Sequence, residues 1–192
     1  MFPQIVWNCL AGTAWLPIVF LAISNASAAA GGAATTDPGV VVIKEAHLAV
    51  TLPPRWSTTP ERARKKGRLM LSFRREPLDD KNGRRIIPRL GLVVEPVDPD
   101  QDVVAYSIAK RSTLPFKVLE TYDSEDGKFG EAGGIGYLAF YADDGGVTHK
   151  IYVLHAIVGD SGIQLTLDGT AAGFDLLDGE FKAVLRSLRV VN

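Results

Sequence analysis

Three β-strand patterns follow one another between residues 134 and 168, and this succession constrains the fold more than any other feature. The patterns cover 135–142, 147–158 and 163–168, and all three are rich in β-branched, aromatic or aliphatic residues. The connections, 143–146 and 159–162, are built from Asp, Ser and Gly, which supply the positive φ that tight hairpin turns require. Strands joined by such short turns must be antiparallel neighbours, so the sequence predicts a three-stranded meander.

An amphipathic helix is predicted to follow after Gly173. Its large apolar side chains recur at steps of three, four, three, one and three, which is one stripe on a 3.6-residue period. The stripe consists of Phe174, Leu177, Phe181, Val184, Leu185 and Leu188. In the strand before it, Ile163, Leu165 and Leu167 alternate with polar residues, so that strand has one apolar face. We expect the stripe to pack on this face, a burial worth on the order of 10 kcal/mol before entropy is subtracted.

Further strands are predicted upstream of the meander, at 40–45, 68–74, 90–95 and 116–122, with 46–52 continuing the first of them in extended form. In 68–74 and 90–95 apolar and polar residues alternate, which is typical of a half-buried strand. With the meander, the total is about seven strands.

A second helix is predicted between the strand at 90–95 and the strand at 116–122. Three aspartates between residues 98 and 102 open it, and it runs to about Arg111. Acidic residues in the first turn and basic residues in the last turn complement the helix dipole. Val103, Ile108 and Tyr106 are expected to form its apolar side.

Two segments show no strand or helix period. Residues 58–67 are predicted as a loop or a single helical turn, and 75–88 as a polar excursion interrupted by prolines and an Asn-Gly pair. Strands and helices do not alternate one for one along the chain. This order favours an α+β fold with an antiparallel sheet over a doubly wound parallel sheet.

The N-terminal segment carries no charged side chain before Asp37. An apolar run over residues 5–23 is followed by Ala26-x-Ala28, which fits a signal-peptidase site. We therefore predict an export signal over 1–28, a flexible linker over 29–39 and one folded domain over 40–192. The alternative is an uncleaved membrane anchor, because an apolar run of about 19 residues is just long enough to span a bilayer. Either interpretation locates the domain outside the cytoplasm, in a periplasm or secreted, with membrane contact only through an uncleaved N-terminal segment.

The single cysteine, Cys9, lies inside this N-terminal segment. A chain cleaved after residue 28 would contain no cysteine. This excludes a disulfide framework, a thiolate metal site and a cysteine nucleophile from the predicted domain.

Three features of the chain together resemble the PsbP/Mog1-like family, which includes the LpqN-type envelope proteins. They are a Pro-x-x-Trp-like corner over 52–56, a strand and acidic-started helix over 90–111, and hairpins that lead into the C-terminal helix. In that helix the resemblance is carried by Phe174, Asp175, Glu180, Phe181, Ser187 and Leu188. The resemblance implies a curved antiparallel sheet of about six to seven strands with flanking helices. It also implies a non-catalytic accessory or binding module, and it transfers no catalytic residue because members share no catalytic motif.

No metal, cofactor or catalytic site is predicted. His149 and His155 are six residues apart on one strand, so they share a face at about 20 Å separation, too far apart for one metal ion. The aspartates of 98–102 lack the glycine and the twelfth-position glutamate of a calcium loop, and helix capping explains them. Neither a G-x-S-x-G nor an H-E-x-x-H motif occurs, although catalytic residues dispersed over distant loops would leave no local pattern.

Charge is divided unevenly along the chain and suggests a partner surface. Residues 61–89 contain eleven basic and four acidic residues, whereas 95–144 contain four basic and eleven acidic ones. Nucleic acid is disfavoured as a partner, because the protein is predicted to be exported and few aromatics accompany the cations. A solvated polar face is the simplest alternative, and contact with anionic lipid is another. Trp56 is either an anchor for the partner or a core residue at the corner. The possible partner surface consists of Arg55, Trp56, Arg62, Arg64, Lys65, Lys66, Arg84 and Arg85.

From the sequence we therefore expect a non-enzymatic, exported accessory or protein-binding module of the cell envelope that uses no cofactor. One alternative is a carrier of a small molecule or lipid, with a cavity between sheet and helices. A weaker alternative is an enzyme with dispersed catalytic residues.

Overall fold

The computed structural model describes residues 39–113, 116–123 and 130–191. The predicted export signal over 1–28, most of the predicted linker over 29–39 and Cys9 lie outside the described residues. Within the described ranges the chain forms twelve strands and two α-helices. The strands are β1 Val40–Ile43, β2 Leu48–Thr51, β3 Glu61–Lys65, β4 Arg68–Arg74, β5 Leu78–Asp79, β6 Arg85–Ile86, β7 Arg89–Pro96, β8 Lys117–Tyr122, β9 Ile135–Ala142, β10 Thr148–Val158, β11 Ser161–Thr170 and β12 Arg189–Val190. The helices are α1 Val103–Arg111 and α2 Ala171–Arg186.

Seven strands form the main sheet, in the order β3-β4-β7-β11-β10-β9-β8. Every neighbouring pair is antiparallel, and β9, β10 and β11 form the predicted meander. A smaller sheet has the order β1-β2-β12, and β5 pairs with β6. The α+β class with an antiparallel sheet is therefore confirmed.

The C-terminal helix α2 packs on the main sheet as the sequence predicts. The predicted stripe is buried throughout, although its last member, Leu188, lies just beyond the end of the helix at Arg186. Ile163, Leu165 and Leu167 on β11 are buried as well. The helix begins at Ala171, three residues earlier than the start predicted after Gly173, because the Thr170 side chain accepts a hydrogen bond from the Gly173 amide and caps the first turn.

The other helix, α1, lies on the opposite face of the sheet. Successive strand residues point to opposite faces, and on β10 Tyr152 contacts α2 whereas His155 contacts α1. The helix buries Tyr106 and Ser107, but Ile108 is 64% exposed. The prediction that Ile108 belongs to the inward side of this helix is therefore wrong.

Two N-terminal predictions also need correction. The extended continuation over 46–52 is a separate strand, because a 3-10 turn ending in His47, with φ of 49°, reverses the chain between β1 and β2. The segment 58–67, predicted as a loop or helical turn, contains β3. Lys66 and Gly67 both have positive φ, so they form a tight turn that folds β3 back along β4.

Neither helix of the described ranges has the length and apolar character needed to cross a membrane.

Candidate partner-binding surface

The predicted surface begins with Trp56, and this residue is packed inside the domain. It is only 7% exposed, and its ring meets the edge of Phe181 at a centroid distance of 6.2 Å. Its indole N–H donates to Glu180 Oε2 at 2.9 Å. Trp56 is therefore a core residue at the corner, and its interpretation as an exposed partner anchor is wrong.

Glu180 also accepts a paired contact from Arg75. The Arg75 Nε and one terminal nitrogen each lie 2.8 Å from a Glu180 oxygen, and the Arg75 side chain is 7% exposed. Burial alone would raise the pKa of Glu180, but the hydrogen bonds from Arg75 and Trp56 outweigh it and lower that pKa. Three residues distant in sequence are thus joined in one hydrogen-bonded corner.

Ser187, another of the residues that carry the resemblance, also has a structural role. Its hydroxyl accepts from the Thr51 amide at 2.9 Å and donates to the Val184 carbonyl at 2.8 Å, so it connects the end of α2 to β2. Together with the Trp56 corner, this contact shows that Trp56, Glu180 and Ser187, three of the residues in the segments that carry the resemblance, are bonded within the fold.

Four of the predicted surface residues do lie together, on β3 and the turn after it. We call Arg62, Arg64, Lys65 and Lys66 the basic edge. All four are exposed, and β3 is an outermost strand of the main sheet. Arg62 and Arg64 share a single carboxylate, Glu45, which contacts Arg62 directly and lies 3.8 Å from Arg64.

The two lysines of the basic edge have no such neighbour. Within the described ranges, neither Lys65 nor Lys66 has a carboxylate oxygen within ion-pair distance. Within the same ranges, Arg62 and Arg64 are the members of the basic edge that contact a carboxylate, and they share Glu45, which leaves the basic edge with a net positive charge.

The remaining arginines, Arg55, Arg84 and Arg85, are exposed but lie apart from the two lysines. Arg84 and Arg85 belong to the β5–β6 hairpin, where Asp80 Oδ1 accepts from the Arg84 amide at 2.9 Å. The backbone carbonyl of Arg55 accepts a hydrogen bond from the Glu76 amide. This contact lies just beyond the C-terminal end of β4, and the turn to β3 lies at the other end of that strand. The residues of the predicted surface are therefore distributed over the basic edge, the β5–β6 hairpin and the corner that contains Arg55.

A polar cluster that the sequence did not predict lies on the sheet face that α1 partly covers. His149 Nδ1 donates to Asp168 at 2.7 Å, and its Nε2 faces Asp143 at 3.5 Å. The Tyr141 hydroxyl donates to Asp168 at 2.6 Å, and its ring stacks on His149 at 4.9 Å. The hydrogen bond to Asp168 raises the pKa of His149 despite its partial burial. Both ring nitrogens face carboxylates, so the cluster favours a protonated imidazole over a free basic nitrogen.

His155 has the opposite environment. It is buried beneath α1, and its Nδ1 lies 3.0 Å from the Ser107 hydroxyl, which in turn contacts the Tyr137 hydroxyl. Nε2 makes no hydrogen bond of standard geometry, although Gln164 opposite it on β11 interacts weakly with the ring. Burial, followed by the nearby positive charge of Lys110, lowers the pKa of His155 to about 4. This imidazole is neutral at physiological pH and closed off from solvent.

A shallow recess lies between α1 and the strands β8 to β10. It measures about 230 Å³ including the solvent at its mouth, and its lining is largely apolar. Its lining residues are Arg111, Phe116, Val118, Tyr137, Ala139, Val153 and His155. Within the described ranges no group of three or more His, Asp or Glu side chains is arranged to hold a metal ion.

Comparison with known proteins gives a fold but no family. No family model matches the chain, and no curated protein matches it. Among solved structures, cyanobacterial PsbP (CyanoP) from Synechocystis sp. PCC 6803 is 12% identical with a TM-score of 0.53, covering 85% of this chain and 98% of that one. A mutant of the protein Mog1 is 13% identical with a TM-score of 0.51, covering 80% of this chain and 95% of that one.

A structure from Bacteroides thetaiotaomicron VPI-5482 is 8% identical with a TM-score of 0.50 and covers 80% of this chain. This chain spans about half of that protein, 48% of its length. The likenesses to PsbP and Mog1 confirm the predicted PsbP/Mog1-like fold. At these identities they show the fold alone.

Proposed function

We propose that the chain is a non-enzymatic accessory module that binds a protein partner in the cell envelope through its basic edge. The observation that carries the proposal is the charge imbalance on β3 and the turn after it. Among the residues that the structure describes, Glu45 alone has a carboxylate within ion-pair distance of Arg62, Arg64, Lys65 or Lys66. An exposed group of like charges on a rigid strand attracts a partner of opposite charge and speeds its association. A partner with an acidic surface or segment fits this site.

Export of the module is part of the same proposal. It is supported by the sequence of residues 1–28, whose apolar run and Ala26-x-Ala28 site suit an export signal. The family that we propose for such an exported module is the LpqN-type proteins of bacterial envelopes. An anchor over 5–23 would keep the domain at the outer face of the membrane.

The alternative of a small-molecule or lipid carrier has less support. A carrier needs an enclosed apolar cavity of about 300 Å³ or more. The interface between α2 and the sheet is filled by the buried helix stripe and by Ile163, Leu165 and Leu167. The recess beside α1 is shallow and open to solvent.

Site-specific cross-linking in the native cells tests the partner proposal. A photoreactive amino acid replaces Lys65, and a second strain carries it in place of Leu176, which is exposed on α2. We expect a discrete cross-linked product from position 65 that is absent from position 176. The product should disappear when Arg62→Glu and Arg64→Glu are combined with the probe and persist with Arg84→Glu and Arg85→Glu. Equal products from both positions, or none from position 65, would contradict the proposal.

Fractionation of the same cells tests export separately. We expect the protein in the envelope or the medium, with a mature N-terminus near residue 29 if the signal is cleaved. Recovery of the intact chain only in the cytoplasm would contradict export while leaving the binding experiment interpretable.

A further inference from the structure

The outer edge of β3 is free to pair with another strand. Within the described ranges, β3 makes backbone hydrogen bonds only with β4, and all five of its residues are exposed. An open edge of this kind presents a row of unpaired N–H and C=O groups, which is a template for an added strand.

The other edge of the main sheet is less suited to pairing. Its outer strand, β8, contains an irregularity between Val118 and Glu120, where the register with β9 shifts. Such a bulge bends and twists a strand and interrupts regular pairing. Of the two edges, β3 is the regular one.

The side chains of β3 define what an added strand would meet. Arg62 and Arg64 pair with Leu71 and Leu69 of β4, so they lie on the face of the sheet that carries α2. Both guanidinium groups lie near Glu45, which contacts Arg62 directly and is 3.8 Å from Arg64, so the one carboxylate is shared between two cations.

The residue between them, Ala63, lies on the opposite face. It pairs with Met70, which pairs with Val93, so the three form one apolar row across β3, β4 and β7. Met70 and Val93 are half-buried, and the row ends at the small side chain of Ala63, which leaves room beside it.

The charges of β3 determine which kind of strand can pair with its open edge. Two copies of β3 placed edge to edge would bring Arg62, Arg64 and Lys65 of each chain together, so like-charge repulsion opposes self-pairing. The same charges attract a strand that carries carboxylates. The three cations outnumber Glu61, the one carboxylate of β3, so the edge disfavours a second copy of itself and favours an acidic partner.

We infer that β3 takes up an extended acidic segment of the partner as an eighth strand of the sheet. Opposite Arg62, Ala63 and Arg64 this segment carries an acidic, an apolar and an acidic residue in turn. The carboxylates meet the two guanidinium groups, and the apolar side chain extends the row of Ala63, Met70 and Val93. This inference rests on the proposed function and specifies the partner segment and its mode of binding.

Hydrogen exchange with a defined peptide tests the inference. The probe is acetyl-Thr-Glu-Val-Glu-Val-Glu-Thr-amide added to the purified full-length chain, and the control peptide has the same composition in the order Glu-Glu-Glu-Val-Val-Thr-Thr. We expect saturable binding of the alternating peptide and slower amide exchange within residues 61–65. The control peptide should give neither effect, because its acidic and apolar residues do not alternate.

Charge variants complete the test. Arg62→Glu combined with Arg64→Glu should weaken binding of the alternating peptide by about tenfold or more, since attraction becomes repulsion at both positions. Arg84→Glu combined with Arg85→Glu changes the net charge equally, on the separate hairpin, and should alter affinity by less than about twofold. Arg62→Gln with Arg64→Gln should give an intermediate affinity, and circular dichroism checks that each variant is folded.

Three results would overturn the inference. They are binding without slowed exchange in 61–65, equal binding of both peptides, and no saturable binding at about 1 mM peptide, a concentration corresponding to roughly 4 kcal/mol of affinity. If the probe at position 65 still captures a partner in cells, the proposed function stands and only the strand-pairing inference falls. If that capture also fails, the proposed function falls with it.

Discussion

Replacing Glu180 with alanine should destabilise the domain strongly, because the buried charge of Arg75 would be left without its partner. The substitution removes two hydrogen bonds from Arg75, each 2.8 Å long, and one from Trp56 at 2.9 Å. The Arg75 side chain is 7% exposed, so its charge would remain in a site that water barely reaches. The Trp56 indole N–H would lose its acceptor in the same step.

The size of the effect follows from the burial of each partner. Removing one member of a buried ion pair costs about 3–5 kcal/mol, because the other charge is left uncompensated. The Glu180 side chain is 27% exposed, so water can enter part of the vacated space. We therefore expect about 3 kcal/mol, at the lower end of that range. Asp175→Ala is the matched control, since Asp175 pairs with Lys81 at the surface of the same helix, and its loss should cost at most about 1 kcal/mol.

Urea unfolding measures both effects. With a slope of about 1–3 kcal/mol/M, a loss of about 3 kcal/mol lowers the unfolding midpoint by about 1–3 M. Combining Arg75→Met with Glu180→Leu should be less destabilising than Glu180→Ala alone, because no charge is left unpaired. The reasoning is refuted if Glu180→Ala is as mild as Asp175→Ala, or if the paired substitution costs the sum of its two single losses.

Four further predictions concern the sheet face that carries α1. The pKa of His155 is about 4 in the folded protein and about 6.5 in the unfolded chain, so the free energy of unfolding should fall as pH drops from about 6.5 to 4. The midpoint of urea unfolding should therefore depend less steeply on pH in His155→Gln than in the unsubstituted protein. The pKa of His149 is raised, so its stabilising contribution is complete below about pH 6.5 and is lost as pH rises through the raised value; His149→Gln should therefore cost more stability at pH 6 than at pH 9. A methyl group at Gly162 would lie 2.7 Å from the Tyr106 ring, so Gly162→Ala should cost about 1–3 kcal/mol by urea unfolding and loosen α1 in hydrogen exchange. Ile108 is largely exposed, so Ile108→Lys should change the free energy of unfolding, measured by thermal denaturation, by no more than about 0.5 kcal/mol.

The C-terminal half of the fold could be predicted because local pattern and burial agree there. The stripe of α2 and the alternation of Ile163, Leu165 and Leu167 each depend on residues only a few positions apart. Because the turns between them are short, β9, β10 and β11 can pair only as antiparallel neighbours in sequence order, and their register follows from this pairing. Periodicity is sufficient where one element covers one apolar face.

The edge strand β3 could not be predicted in this way. Its sequence, Glu-Arg-Ala-Arg-Lys, has no apolar alternation, because no layer covers it on either face. Its pairing depends instead on β4 and on the positive φ of Lys66 and Gly67. A lysine before a glycine is a weak turn signal, so a loop was the simpler expectation.

The error on α1 has a different cause. The sheet surface beneath this helix is polar, since Glu95 and His155 both face the helix. The helix side chains that contact this surface are therefore polar as well. Tyr106 donates to Glu95 at 3.0 Å and Ser107 contacts His155. Ile108 is consequently turned outward, and a count of apolar residues along the helix cannot detect this. Cross-strand partners such as His149 and Asp168, nineteen residues apart, leave no local pattern either.

The distribution of these contacts explains why the likeness to PsbP and Mog1 leaves the partner open. Trp56, Glu180 and Ser187, three of the residues that carry the resemblance, are bonded within the fold, where substitution is costly. The basic edge contributes little to that packing, because all its members are exposed, and such positions can change without unfolding the domain. A fold can therefore persist at 12% or 13% identity while its surface residues change, and fold alone does not identify a function. The charge and pairing of β3 are properties of this chain's own surface, so the proposed partner binding is tested by experiments on β3 rather than by the likeness in fold.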